Sequence, residues 1–152
     1  MEVVNIKDKV LYGLCVRTKN VDEMNPQTAK IGALWQKFAS EVAIDYESGV
    51  SVYGVYFNYE SDMNGSFDVL AGYDGAKDDK LEKVLIQGGK YLVFKEEAKE
   101  PTDGARVEAV IKTWGRVWEY FMNDKSEYKR AYTTDFEFYK DATNIEICIV
   151  IK

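Results

Sequence analysis

The stretch TTDFEFYKD, residues 133–141, sets Asp135, Glu137 and Tyr139 at every second position, with Phe136 and Phe138 between them. A β-strand turns successive side chains to opposite faces. The two Phe rings would therefore face one way, and the two carboxylates with the Tyr hydroxyl the other. That polar face has two readings. It is a wetted surface, or it is the floor of a polar-aromatic pocket that holds Glu137 away from water. In the pocket the chemistry is that of a desolvated carboxylate. Its pKa rises, and its burial costs several kcal/mol unless donors or a cation compensate. Such a group serves as counter-charge to a bound cation or as a general base.

Other reactive groups are few. The chain has no His, which removes Ser-His-Asp and Cys-His catalysis and most zinc and iron sites. Cys15 and Cys148 each lie in an apolar, strand-like run. They read as two buried thiols, although spacing alone leaves a disulfide open, and no CxxC motif marks a zinc or redox site. AGYDGAKDDKLEK (71–83) gathers Asp74, Asp78 and Asp79 but lacks the twelve-residue calcium-loop pattern and its closing Glu, so it reads as a surface loop. No metal and no cofactor are expected.

With 152 residues, 46% hydrophobic and 30% charged, the chain is expected to form one domain, 1–152, with a substantial core. The net charge of −6 argues against direct nucleic-acid binding, which needs clustered Lys and Arg. The nearest cluster is Lys125, Lys129 and Arg130, interrupted by Glu127. There is no signal-peptide pattern and no run long enough to cross a bilayer, so a cytoplasmic, non-membrane protein is expected. Three Trp, eleven Tyr and seven Phe would fill a core or line a pocket for flat ligands.

The elements that must position Glu137 occur twice. Strand-like KVLYGLCVRTKN (9–20) is followed by Asn25-Pro26, a helix-entry signal. The segment 27–43 then carries Ile31, Leu34, Trp35, Phe38 and Val42 at helical spacing. VSVYGVYFNYE (50–60) and SFDVLAGYD (66–74) read as strands around an Asn64-Gly65 turn. In the second half KYLVFKEEA (90–98) is a strand and 105–122 is a helix whose one face runs from Val107 through Trp114 and Trp118 to Phe121. DFEFYK (135–140) and NIEICIVIK (144–152) close it. The fold class is thus α+β, a tandem duplication of a strand–helix–strand–strand unit in half-repeats 1–80 and 81–152. It has antiparallel sheets and two main helices, related by a shift of 79 residues. Gly32 and Gly115 interrupt the two helices, either as a tolerated cost or as points of close approach by backbone or ligand. A seam between half-domains is a usual place for a ligand cavity.

WEYFMNDKSEYKRAYTTDFEFYKDATNIEICIVIK (118–152) adds a specific likeness. Trp118 and Tyr120, Ser126 and Tyr128, Asp135-Phe136-Glu137 with Tyr139, and Ile145-Glu146-Ile147 resemble the closing stretch of the GyrI-like effector-binding family. That family includes the C-terminal domains of transcription regulators such as Rob and BmrR, and free-standing proteins. VYGVYFNYE, the helix with Trp35, and KYLVFKEEA match more loosely, so the resemblance spans the chain. It implies a pocket between the halves for hydrophobic organic cations, with Glu137 as the charge inside it. No helix-turn-helix segment accompanies the motif, so DNA binding is not carried over. The free-standing form is expected, similar to small mobile-cassette proteins that bind drug-like cations. Alternation in the repeat puts Tyr56, Tyr91, Phe94, Trp114 and Tyr139 forward as walls around Glu137. A homodimer or a separate regulatory protein are the candidate partners. Two other readings stay open: a small-molecule hydrolase using the pocket Glu and Tyr, and a gyrase-protecting interaction module.

Overall fold

The computed structural model describes all 152 residues. In chain order its elements are Glu2–Ile6 (β1), Lys9–Lys19 (β2), a helical turn at Asn20–Glu23 (α1), Ile31–Glu41 (α2), Val52–Phe57 (β3), Ser66–Tyr73 (β4), Glu82–Ile86 (β5), Gly89–Glu97 (β6), Asp103–Met122 (α3), Thr134–Tyr139 (β7) and Asn144–Val150 (β8). The duplicated strand–helix–strand–strand order is therefore present in both halves. It is joined by two strands that the hydrophobic pattern does not announce, β1 and β5. Both are only five residues long and carry charged residues, so neither gives a run of alternation long enough to read. No helix is long and apolar enough to cross a membrane.

All strands join one antiparallel sheet, in the order β1-β6-β8-β7-β3-β4-β2-β5. Outward from its centre, β3-β4-β2 on one side answers β7-β8-β6 on the other, so a pseudo-two-fold axis passes between β3 and β7. The pairing Leu14↔Ala71 is repeated as Leu92↔Ile149, and Thr18↔Phe67 as Glu96↔Ile145. These outer strands are thus related by a shift of 78, not the 79 expected. The difference matters because a slip of one residue turns a strand's side chains to the other face. The even shift keeps Leu14 and Leu92 both on the helix-covered face.

Only Gln87 and Gly88 separate β5, at one end of this order, from β6, beside the other end. The sheet must curl until its two edges approach each other. Inside the roll lie Leu11, Tyr53, Val55, Leu70, Tyr91, Val93, Phe136 and Cys148. Tyr91, expected as a pocket wall, belongs to this interior. It is fully buried, donates to the Gln87 carbonyl at 2.5 Å and shares a 2.7 Å hydrogen bond with Thr134 Oγ1. Cys15 and Cys148 are both free, and burial pushes both thiols up.

The two long helices cover the outer face. Leu34 and Phe38 of α2 pack on Val52, Phe67, Val69 and Ala71. Val117 of α3 packs on Leu92, Phe94, Ile147 and Ile149. Phe94, the other expected wall, lies beneath α3, with its ring 6.1 Å from that of Tyr120 and 6.4 Å from that of Phe121. Side chains fix where both helices begin. Thr102 Oγ1 accepts from the Ala105 N–H at the start of α3. For α2 the Glu23 carboxylate reaches across to accept the Lys30 and Ile31 N–H groups at 2.9 and 3.1 Å. That cap, from a residue seven to eight positions earlier, sets the start four residues later than Asn25-Pro26 suggests.

Two glycines behave oppositely. A Cβ on Gly13, in β2, would stand 2.0 Å from the Ala71 carbonyl oxygen, whereas one on Gly115, in α3, would meet nothing within 4 Å. The same holds for Gly32, so packing requires neither helical glycine. Gly13→Ala should therefore lower the stability by more than about 2 kcal/mol through strain against fixed backbone. Gly115→Ala should raise it by roughly 0.5–1 kcal/mol. Denaturant melts of the two variants beside the parent check both signs.

Candidate functional site

Strands β3 and β7 pair through six residues along the pseudo-two-fold axis, from Val52↔Tyr139 to Phe57↔Thr134. On their helix-covered face Gly54 stands opposite Glu137, and Tyr56 opposite Asp135. The missing side chain at Gly54 is what admits the Glu137 carboxylate. A Cβ there would lie 2.7 Å from Glu137 Oε1 and 3.0 Å from the Trp35 ring.

Glu137 is 2% exposed. Three neutral donors hold it: the Tyr56 hydroxyl at 2.6 Å and the Trp114 indole N–H at 2.8 Å on Oε2, and the Tyr139 hydroxyl at 2.8 Å on Oε1. None of the chain's ion pairs includes it. Burial raises its pKa, and the hydrogen bonds from Tyr56, Trp114 and Tyr139 work against that rise. Burial and then the Glu137 charge push the Tyr56 and Tyr139 hydroxyls well above their ordinary value, so both stay neutral donors.

Asp135, two residues earlier on the same face, is a control built into the molecule. It is 0% exposed yet pairs with Arg130 at 2.7 Å and also accepts from the Tyr59 hydroxyl and the Val150 N–H. One buried carboxylate has a protein cation; its neighbour has three dipoles and none.

Above these residues, between α2 and α3, opens a cleft of about 1520 Å³. Its floor includes Val52, Tyr56, Glu137 and Tyr139; α2 contributes Ile31, Trp35 and Phe38; α3 contributes Val107, Val110, Ile111, Trp114 and Trp118. All three Trp of the chain line it. So do four large hydrophobic residues that are otherwise exposed, Met24, Tyr46, Val107 and Ile111. The rings interlock: Tyr56 meets Trp114 edge-on at 5.0 Å, and Tyr139 meets Trp35 at 5.5 Å. Apolar surface left open in this concentration marks a site for a partner or ligand. Aromatic faces attract cations, by about 0.5–2 kcal/mol each.

Of the six residues put forward from the sequence, Glu137, Tyr56, Trp114 and Tyr139 are brought together here. Tyr91 and Phe94 are not. The sequence reading passed over Trp35 as a wall, though the 79-residue shift between the helices sets it opposite Trp114. Arg130, counted with Lys125 and Lys129 as the nearest approach to a basic cluster, is buried beneath Tyr59 and Tyr132. Hydrophobic periodicity does not signal that placement.

Comparison with known proteins gives four matches. A family model described as Cass2, integron-associated effector binding protein, matches residues 2–151. Among solved structures, the integron cassette protein VCH_CASS2 from the mobile metagenome of Vibrio cholerae is 42% identical, with TM-score 0.87 over 99% of this chain and 95% of that one. SAV2435, solved bound to tetraphenylphosphonium, shares the fold at 16% identity and TM-score 0.66, over 99% and 93% of the two chains. Among curated proteins, YobU of Bacillus subtilis (strain 168), named as a transcriptional regulator, is 29% identical over 145 residues, 90% of this chain and 84% of that protein.

A carboxyl whose pKa is raised on folding adds stability below the ordinary carboxylate range and loses it as pH rises through the raised value. In its charged form Glu137 thus weighs against the fold. Glu137→Gln should be at least as stable as the parent near pH 7, and the parent should gain on it as pH falls. Denaturant melts across pH 4–8, values on the order of the carboxylate-to-neutral range, check this; a parent that outlasts the variant most at neutral pH contradicts it. Gly54→Ala should lower stability by about 1–3 kcal/mol and change the Trp emission, since the new methyl displaces Glu137 or the Trp35 ring.

Proposed function

The chain belongs to the Cass2 family of integron-associated effector binding proteins, and from that premise we propose that it binds amphipathic organic cations in the cleft between its halves, with Glu137 as their counter-ion. The observation that carries the reading is a carboxylate held away from water by Tyr56, Trp114 and Tyr139 without a basic partner, while the adjacent Asp135 has Arg130. A guest cation supplies the charge that the protein withholds from Glu137 and supplies to Asp135. The tetraphenylphosphonium bound to SAV2435 supports the same ligand class here.

The site's chemistry favours diffuse, greasy cations. Glu137 is enclosed by rings, so a guest's charge acts through or between aromatic faces. A charge spread over aryl groups tolerates that separation, whereas a compact hydrated ammonium would lose its water for little return. Each Å² of apolar guest surface removed from water contributes roughly 25 cal/mol. None of these terms fixes an outline, so the walls accept many shapes. The family's described activity is effector binding, and a pocket carboxylate fits that role without any chemical step.

Crystal violet and its neutral leuco form carry the same three dimethylaniline rings and differ in charge and in the geometry of the central carbon. The cation should raise the melting temperature of the parent protein, by the equivalent of about 2.7 kcal/mol at a hundredfold excess over Kd, and the leuco form much less. Binding should also quench Trp emission, since every Trp lines the cleft. Glu137→Gln should remove the preference for the cation. A variant that keeps it would show that Glu137 is not the counter-ion.

A further inference from the structure

The inner side of the sheet has a hollow of its own. It measures about 200 Å³ and draws its lining from every strand except β4. Its walls are mostly apolar. They include Val93, the Phe136 ring, the Cys148 thiol and the Tyr53 ring, which stacks on Phe138 at 5.1 Å. Its mouth lies at β1, a free edge of the sheet. Val4 and Ile6 pack on the inner core there and yet are only half-buried. Strand β7 separates this hollow from the cleft. Phe136 and Phe138 line the hollow, and Glu137 and Tyr139, alternating with them, line the cleft. One strand is thus a wall of two separate spaces.

We propose that this hollow is a second ligand site, back to back with the cleft, for an uncharged molecule of one or two aromatic rings. The size follows from the volume. Apolar cavities of roughly 150 Å³ stay dry and take up benzene, and this one is somewhat larger and open at one side. The charge class follows from the rim. Lys9 stands 3.5 Å from Asp74, and Lys95 stands 2.8 Å from Glu2. An anion would therefore meet no free cation, and Glu146 beside the hollow would repel it. A cation fares no better, because Lys9 already stands over the Tyr53 ring, 5.4 Å from its centre. Uncharged rings bury apolar surface without breaking either ion pair. The hollow and the cleft thus select by opposite rules, and the assignment does not depend on the cation reading.

Indole is the probe, followed by methyl NMR of the parent protein. The Val4, Ile6 and Val93 methyl signals should shift on titration. They should shift equally when crystal violet is present in excess, because no residue lines both spaces. If crystal violet itself does not bind, the cation reading fails and the position of the shifted methyls still decides this one. Indole-3-carboxylate, which adds a negative charge to the same rings, should bind at least about tenfold more weakly. Equal affinity overturns the assignment to uncharged guests. Val4→Trp, on an edge strand with room for the larger ring, should fill the mouth and abolish the indole shift at Val93, while the stabilisation by crystal violet persists. A Val93 shift retained in that variant overturns the site. If the variant does not fold, the methyl signals of the parent decide. Unmoved Val4, Ile6 and Val93, or shifts confined to Val107 and Ile111 in the cleft, overturn the second site and leave the cation reading standing.

Discussion

A carboxylate removed from water must be answered by something, and the centre of this sheet is arranged around two that are answered differently. Asp135 has a complete internal response: a cation, a hydroxyl and a backbone N–H. Glu137 has dipoles only. Dipoles lower the cost of burial but leave the monopole in place. The space at Gly54, the orientation of three rings and the cleft above them all surround that residual charge. An ordinary core would have paired it, protonated it or replaced it with an apolar side chain.

The duplication explains how one unit came to hold so unusual a group without losing its fold. The pseudo-two-fold that exchanges β3 and β7 carries the pair Gly54–Glu137 onto the pair Asp135–Tyr56. Equivalent positions therefore hold different chemistry. The first half contributes room, at Gly54, and a donor, Tyr56. The second contributes both carboxylates, and Arg130 comes from the connector between α3 and β7. Symmetry places the two halves face to face, and broken symmetry at four positions makes the site. The helices follow the same division, with Trp35 on one and Trp114 on the other framing the carboxylate from opposite walls.

What could be read in the sequence follows the range of the interactions. Alternation in DFEFY and helical spacing in 105–122 are local, and they located Glu137, Tyr139 and Trp114 on their elements. The likeness to effector-binding proteins then turned one of two open readings of Glu137 into the pocket reading. Tyr91 and Phe94 were misjudged because alternation tells which residues share a face but not which face a curled sheet turns inward, nor which part of the outer face a helix covers. The curl itself depends on β1 and β5, whose short charged sequences carry no periodic signal. The late start of α2 and the burial of Arg130 rest on polar side-chain contacts of Glu23 and Asp135, which hydrophobic periodicity does not register.

The sheet is one layer of backbone with a core on each side. Helix α2 rests on β2 and β4, and α3 on β6 and β8, so each wall of the cleft rides on the outer strands of its own half. The span between the walls is consequently a reading of how tightly the sheet is coiled. That coiling is decided on the reverse side, by the bulk of residues such as Leu70 and Phe136, which lie outside the cleft. Lineages of this domain can therefore widen or narrow the cleft by trading volume in a compartment sealed from it, with Glu137 and its ring of donors left unchanged.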